Sequence, residues 1–197
     1  MTGEKQVKND IMEKILAIEL EMFLSVPSAQ KSTCQEYPES FKLHRGAQFS
    51  TWSRNTLESY LHDLEKAMDD GMNLMTQKYA RMDNLIPPLN NNPLIDVIIG
   101  YQCAWQREMM RKYPGIMSGG RPLSSAEDSG FMTSFETYLR GELETYSDTT
   151  LDFLHQDILD KYAQGINMAE EVYHCLILDM GYKSIEDAEQ AVSGRRD

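Results

Sequence analysis

"IMEKILAIELEMFLSV", residues 11–26, has the apolar spacing of an amphipathic α-helix, with one exception. At about 100° per residue, its apolar side chains share one face of the helix. Glu19 lies within roughly 20° of the centre of that face, whereas Glu13 and Glu21 point elsewhere. The stretch therefore predicts a helix that turns one carboxylate toward the interior of the protein.

The remainder of the chain also has helical periodicity, and it lacks the alternation of Val, Ile and Thr that indicates a sheet. Gly181 is the expected C-cap of the helix before it. We predict helices at about residues 9–26, 38–50, 94–112, 131–146, 149–164 and 166–180, a further helix from Ser53 or Asn55, and a short last one from Ser184. The predicted fold class is all-α, a single bundle of roughly seven to nine helices.

Two segments leave the organisation of the chain open. Asp69–Gly71, "DDG", either caps a helix before "NLMTQKYARM" or is crossed by a continuous helix. The strongest break is "NLIPPLNNNP", residues 84–93, which holds three prolines and four asparagines. We expect residues 1–197 to form one domain, because each half alone would bury only a small core. A division at residues 85–93 is the alternative.

Composition narrows the class of partner. The chain of 197 residues has 31 Asp plus Glu against 19 Lys plus Arg, a formal charge of −12. Such a field repels phosphate backbones and anionic lipid heads, so we expect neither nucleic-acid nor membrane binding. No apolar run approaches the ~20 residues of a membrane span, and no signal-peptide pattern opens the chain.

The cysteines indicate a reducing compartment. Cys34, Cys103 and Cys175 are far apart, odd in number and form no CxxC motif. Cys103 and Cys175 lie inside helical segments, where we expect them to be packing residues. These features predict a cytoplasmic protein.

The angular test applied to Glu19 selects further polar groups on apolar helix faces. Glu142 falls among the apolar residues of its helix, while Glu144 is expected to face away. His155 lies in the apolar stripe of the next helix, and Arg45 lies among aromatic residues with Gln48 close by. A charged group buried alone is costly, so each needs a partner, a metal ion or a change of protonation.

Glu19, Arg45, Glu142 and His155 come from four separate helices, and we expect them to converge on one internal pocket. The leading hypothesis is a protein that binds a small anionic molecule, with or without catalysis. Glu19, Glu142 and His155 are the catalytic candidates; a carboxyl whose pKa is raised by burial would act as general acid or base.

Arg45, Gln48 and Arg121 are the candidate ligand-binding residues; the arginines would hold a carboxylate or phosphate. Arg121 would reach the ligand from the glycine-rich loop "SGGRP". A purely structural alternative remains, in which Glu19 and Glu142 form ion pairs with Arg45 and His155 is a core histidine. No cofactor can be assigned from the residues.

Two other classes of function stay open. One is an accessory module that docks on a protein partner through exposed methionines, since methionine suits adaptable surfaces; the candidates are Met109, Met110, Met117 and Met132. The other is a metal-dependent oxidase or hydrolase, suggested by the pairs Asp152-x-x-His155 and Glu171-x-x-His174.

Several longer motifs carry a resemblance to a known family. They are "EMF" at Glu21–Phe23, "CQ" at Cys34–Gln35, the spacing of Phe41, Arg45, Gln48 and Trp52, "LESYLHDLEKA", "GMNLMTQKYARM", "GRPL" and "TSFETYLRGELETYS". Together they resemble the bacterial family of unknown function numbered forty-one twenty-five. The resemblance implies a helical, cytoplasmic bacterial protein, and it implies no activity and no catalytic residues.

Overall fold

Helices form the regular structure of the residues that the computed structural model describes, which are 3–27, 38–130 and 132–194. They are α1 (Gly3–Leu24), α2 (Pro38–Ser50), α3 (Arg54–Asp69), α4 (Leu74–Met82), α5 (Leu94–Lys112), α6 (Pro114–Met117), α7 (Phe135–Leu143), α8 (Asp148–Ala163), α9 (Met168–Asp179) and α10 (Ile185–Ser193). A 3-10 turn covers Ser125–Glu127. No β-strand occurs in this part of the chain. The prediction of an all-α helical bundle is confirmed.

Side-chain caps explain where most helices begin. In six of them, a Ser or Asn before the first turn accepts a hydrogen bond from a backbone N–H three residues later. Such a cap satisfies one of the N–H groups that the first turn leaves without a helical partner. The six caps are Ser53, Asn73, Ser134, Ser147, Asn167 and Ser184.

The chain breaks at Gly71 instead of continuing as one helix. Gly71 has a φ of 68°, a left-handed conformation that glycine adopts without steric cost. The N–H of Met72 donates to the carbonyl of Ala67 at 2.7 Å, which closes the end of α3. Gly181, with a φ of 88°, ends α9 in the predicted way.

The short helix α6 is not among the helices predicted from the sequence. It is held by Glu189 of α10, whose carboxylate accepts the N–H of Gly115 at 2.7 Å and that of Ile116 at 2.8 Å. A Cβ at Gly115 would lie 2.6 Å from Glu189 Oε1, so a side chain there would displace this carboxylate. An acidic residue from a distant helix thus caps an element that has no cap of its own.

The packing of the helices determines which of them can share a site. α1 packs against α2, α3 and α4, α4 packs against α7, and α9 packs against α2 and α5. Fully buried apolar residues come from both sides of residues 85–93, among them Leu57 and Leu64 before and Ile98 and Leu151 after. None of the helices in the described ranges has the length and apolar character needed to cross a membrane.

The cysteines differ in part from expectation. Cys103 is half-buried on α5, but Cys175 is exposed on α9, so the prediction that Cys175 is a packing residue is wrong. Its helix turns it outward, 3.7 Å from Ser50 Oγ. Cys34 lies outside the described residues.

Candidate ligand site

Glu19 is paired with Arg45 in the interior of the bundle. Arg45 donates from Nε to Glu19 Oε2 at 2.8 Å and from Nη2 to Oε1 at 2.5 Å. The hydroxyl of Tyr60 on α3 donates to the same Oε1 at 2.6 Å. Glu19 is completely buried and Arg45 is 4% exposed. This fork-to-fork geometry satisfies both carboxylate oxygens.

The same guanidinium also reaches Glu142 of α7. Arg45 Nη1 donates to Glu142 Oε1 at 2.8 Å and to Gln48 Oε1 at 2.7 Å. Glu142 Oε1 further accepts from Gln48 Nε2 at 3.1 Å and from the Tyr146 hydroxyl at 2.6 Å. Arg45 therefore joins two buried carboxylates that are far apart in the sequence.

A second buried cation completes the group. Lys78 of α4 is 2% exposed and donates from Nζ to Glu142 Oε2 at 2.6 Å. α4 approaches α7 closely because Gly141 has no side chain; a Cβ there would lie 3.0 Å from the Lys78 carbonyl. We call Glu19, Arg45, Lys78 and Glu142 the four-charge network. Its two carboxylates balance its two cations.

The network lowers the pKa of Glu142. Burial alone would raise it, but the charges of Arg45 and Lys78 and the hydrogen bonds from Lys78 and Tyr146 outweigh burial. The prediction that burial raises the pKa of Glu142 into the range of a general acid or base is therefore wrong. The prediction considered burial without the second cation, Lys78.

The cations and tyrosine hydroxyls that contact the two carboxylates stay protonated, because the negative charge of the carboxylates raises their pKa. Burial opposes the charge of Arg45 and Lys78, but the neighbouring carboxylates more than compensate and raise the pKa of both. Burial and the nearby carboxylates raise the pKa of Tyr60 and Tyr146 well above its ordinary value. These hydroxyls therefore remain hydrogen-bond donors over the whole physiological range.

Beside the network lies a cavity of about 710 Å³ between α2, α5, α7 and α9. Gln48, Glu142 and Tyr146 line it, whereas Glu19, Arg45 and Lys78 are not among its lining residues. The other lining side chains include four aromatic residues and four methionines: Trp52, Phe135, Tyr138, Tyr173, Met110, Met117, Met132 and Met168. Glu142 is thus the network's contribution to the cavity wall.

Arg121 lines the cavity where it meets solvent. Its side chain is exposed, its Nη1 donates to the Thr133 carbonyl at 2.9 Å, and its guanidinium lies 4.7 Å from the centre of the Tyr138 ring. Lys78 Nζ is 3.8 Å from the centre of that ring. Tyr138 therefore interacts with a buried cation and an exposed one, a cation–π arrangement that holds Arg121 in place.

The structure does not bring every predicted residue to this place. Glu19, Arg45, Gln48 and Glu142 form one hydrogen-bonded group, and Arg121 lines the cavity next to it. His155 is half-buried on α8 and is not one of the lining residues.

The methionines also differ from expectation. Met109 is completely buried and Met117 is 6% exposed, so the prediction that they form an exposed docking surface is wrong. Helix α5 turns Met109 into the core, whereas Met110, Met117 and Met132 line the cavity. Met132 is 50% exposed, in agreement with the prediction for that residue.

Sequence reasoning missed Lys78, Tyr60 and Tyr146 as members of the site. The inward direction of Lys78 could have been predicted from helical periodicity, because Lys78 shares one face of α4 with Leu74 and Met75. All three residues are buried. The two tyrosines had no such signal, since a buried tyrosine at helical spacing is indistinguishable from a core residue until its hydroxyl partner is known.

Within residues 3–27, 38–130 and 132–194, no group of three or more His, Cys, Asp or Glu side chains is placed to hold a metal ion. Neither carboxylate-x-x-histidine pair is therefore joined by a third such donor in these ranges. The metal-dependent alternative gains no support from the geometry.

Fold and site together define a helical-bundle protein with a buried four-charge network beside a cavity. The family described as "Protein of unknown function (DUF4125)" matches residues 9–190 of the chain. The protein belongs to this family. No curated protein and no solved structure matches the chain.

Proposed function

We propose that this protein binds a small molecule in the cavity, one with an apolar body and a single carboxylate or phosphate. The observation that carries the proposal is the cavity itself. Its volume of about 710 Å³ falls in the range of small-molecule sites, roughly 300–1,000 Å³. Like those sites, it combines many aromatic and methionine side chains with a few polar ones.

Arg121, and not Arg45, is the group we assign to the anion. Arg45 directs Nε, Nη1 and Nη2 to Glu19, Glu142 and Gln48, and it does not line the cavity. Toward the residues that the structure describes, Arg121 donates through Nη1 alone, to the Thr133 carbonyl, so its remaining donors are assigned to a carboxylate or phosphate. In this proposal Arg45 positions Glu142 and Gln48 in the cavity wall.

The methionines support a ligand of this kind. Met110, Met117, Met132 and Met168 surround the cavity with flexible, polarisable side chains. Methionine fills irregular gaps and adapts to the shape of what it contacts. The catalytic roles of Glu19, Glu142 and His155 stay predictions, and binding alone is proposed.

The test uses a fluorescent reporter already in the cavity. The chain has two tryptophans, of which Trp52 lines the cavity and Trp105 does not. In the variant Trp105→Phe, titration with naphthalene-2-carboxylate is expected to quench Trp52 saturably. Val172→Phe, made in that background, fills the cavity and should abolish the quenching, while Val97→Phe on the exposed side of α5 should not.

A charge variant tests the assignment of the anion. Arg121→Gln should weaken binding about tenfold, because one charge-assisted hydrogen bond is lost. Arg107→Gln, an exposed arginine on α5 outside the cavity lining, should leave binding unchanged. Absence of saturable quenching, or equal binding by Val172→Phe and Val97→Phe, would contradict the proposed function.

We propose that the protein is located in the bacterial cytoplasm. The free thiols of Cys103 and Cys175 support a reducing compartment. Fractionation of host cells would contradict this if the protein were recovered with membranes or outside the cytoplasm.

A further inference from the structure

Two glutamines of the cavity wall have no role in the four-charge network. Gln102 and Gln106 lie one turn apart on α5, both are half-buried and both line the cavity. Residues four apart in a helix share one face, so the two amides are neighbours. Neither side-chain amide makes a hydrogen bond to any group of the described residues. The side-chain amide of Gln48, in contrast, is bonded to Arg45 and Glu142.

These two amides restrict what the cavity can bind well. A carboxamide presents two N–H donors beside a carbonyl acceptor. A purely apolar ligand packed against them would remove these groups from water without replacing their hydrogen bonds, which is costly. A ligand edge that carries a donor next to an acceptor would pair with them instead, as amide side chains do with the edge of adenine.

The aromatic side chains favour a flat ligand. Trp52, Phe135, Tyr138 and Tyr173 contribute planar surfaces to the same cavity. Aromatic groups gain from stacked or edge-on contact with other rings beyond the area they bury. The anion site at Arg121 lies where the cavity meets solvent, so it suits a charged substituent on a ring held further inside.

We propose that the cavity takes a planar heteroaromatic ring with a hydrogen-bond donor beside an acceptor, its polar edge on Gln102 and Gln106 and its carboxylate or phosphate at Arg121. This inference rests on the proposed function. It adds the class of ligand, which volume and apolar lining alone do not determine.

The test compares two probes of similar size and charge. Naphthalene-2-carboxylate and pterin-6-carboxylate are both fused two-ring carboxylates, but pterin alone has the donor–acceptor edge. We expect pterin-6-carboxylate to bind about tenfold more tightly to the Trp105→Phe protein, as one or two net hydrogen bonds would provide. In the double variant Gln102→Leu, Gln106→Leu, this advantage should disappear, and naphthalene-2-carboxylate should bind at least as tightly as before, because no amide is then buried without a partner.

Gln156→Leu makes the same chemical change on the exposed face of α8 and should leave both affinities unchanged. Equal affinities for the two probes in the Trp105→Phe protein would overturn the inference and leave the proposed function standing. A pterin preference that persists in the double variant would also overturn it. If neither probe binds, the proposed function fails and the inference fails with it.

Discussion

Glu142 accepts hydrogen bonds from Arg45, Lys78, Tyr146 and Gln48 while being 2% exposed. An ionised carboxylate at such a position is tolerated only because two cations and two neutral donors replace its hydration. Angular periodicity was enough to select this residue, since it asks only which way a side chain leaves the helix. Periodicity does not reveal how many cations surround the Glu142 carboxylate. That number determines whether its pKa is raised or lowered.

We predict that Glu142→Gln destabilises the protein by about 3–5 kcal/mol at pH 7, because Lys78 and Arg45 lose their buried counter-charge. The folded-state pKa of Glu142 lies below its ordinary value of 4.5, so the unfolded chain takes up the proton first as the pH falls. The carboxylate contributes its full stabilisation above the ordinary pKa of 4.5. This contribution is lost as the pH falls from 4.5 toward the lower folded-state pKa. The difference between wild type and variant should therefore narrow below pH 4.5, by up to about 1.4 kcal/mol per pH unit.

Urea denaturation across this pH range measures both effects. Glu39→Gln is the matched control, since Glu39 pairs with Lys42 on the exposed surface of α2 and should cost well under 1 kcal/mol. A Glu142→Gln protein as stable as wild type at pH 7, with a parallel pH profile, would show that the carboxylate is not held by the two cations.

At the scale of elements, the segment between α4 and α5 shows what the sequence could and could not predict. Its prolines and asparagines predicted a break at residues 84–93, and no helix forms there. They did not reveal its anchors: Leu89 N–H donates to Glu144 Oε2 at 3.3 Å, and Asn90 Nδ2 donates to the Tyr146 carbonyl at 3.1 Å. The break is therefore attached to the residues that follow α7.

The direction of the Glu144 side chain also differs from the prediction. It was predicted to face away from the core, but it is 5% exposed and binds Arg81 through Nε and Nη2. Glu144 still follows the helical geometry of α7, since its N–H donates to the Arg140 carbonyl at 3.0 Å. The angular test considered only the apolar residues of its own helix, whereas Arg81 of α4 and the N–H of Leu89 cover the side that Glu144 faces.

We propose that residues on both sides of 85–93 form one domain, joined in part by these anchors. In wild type, limited proteolysis should spare this segment, because its backbone is hydrogen-bonded to neighbours. Glu144→Gln should raise cleavage within residues 85–93 about tenfold, since it weakens the pairing with Arg81 and the bond to Leu89. Mass spectrometry of the early fragments measures the effect.

Glu58→Gln serves as the matched control for that experiment. Glu58 also pairs with an arginine, Arg54, but does so on the exposed surface of α3. Rapid cleavage within residues 85–93 of the wild-type protein, giving two fragments that stay folded apart from each other, would contradict the proposal of one domain.

For the whole molecule, the fold class followed from the sequence because helical periodicity is a local property. The location of the cavity did not follow, because it depends on how α2, α5, α7 and α9 pack. Residue type alone favoured a docking surface for Met110, Met117 and Met132. The packing of the helices instead makes all three part of the cavity wall.

The central claim, that the cavity is a ligand site, is tested most directly by the methionine methyl groups. The chain has 13 methionines, of which Met110, Met117, Met132 and Met168 line the cavity. In a ¹³C-methyl methionine NMR spectrum, saturating naphthalene-2-carboxylate should shift these signals by ring currents and leave the exposed Met68 and Met180 unchanged. Shifts confined to methionines outside the cavity, such as Met68 and Met180, or no shifts at all, would contradict the account.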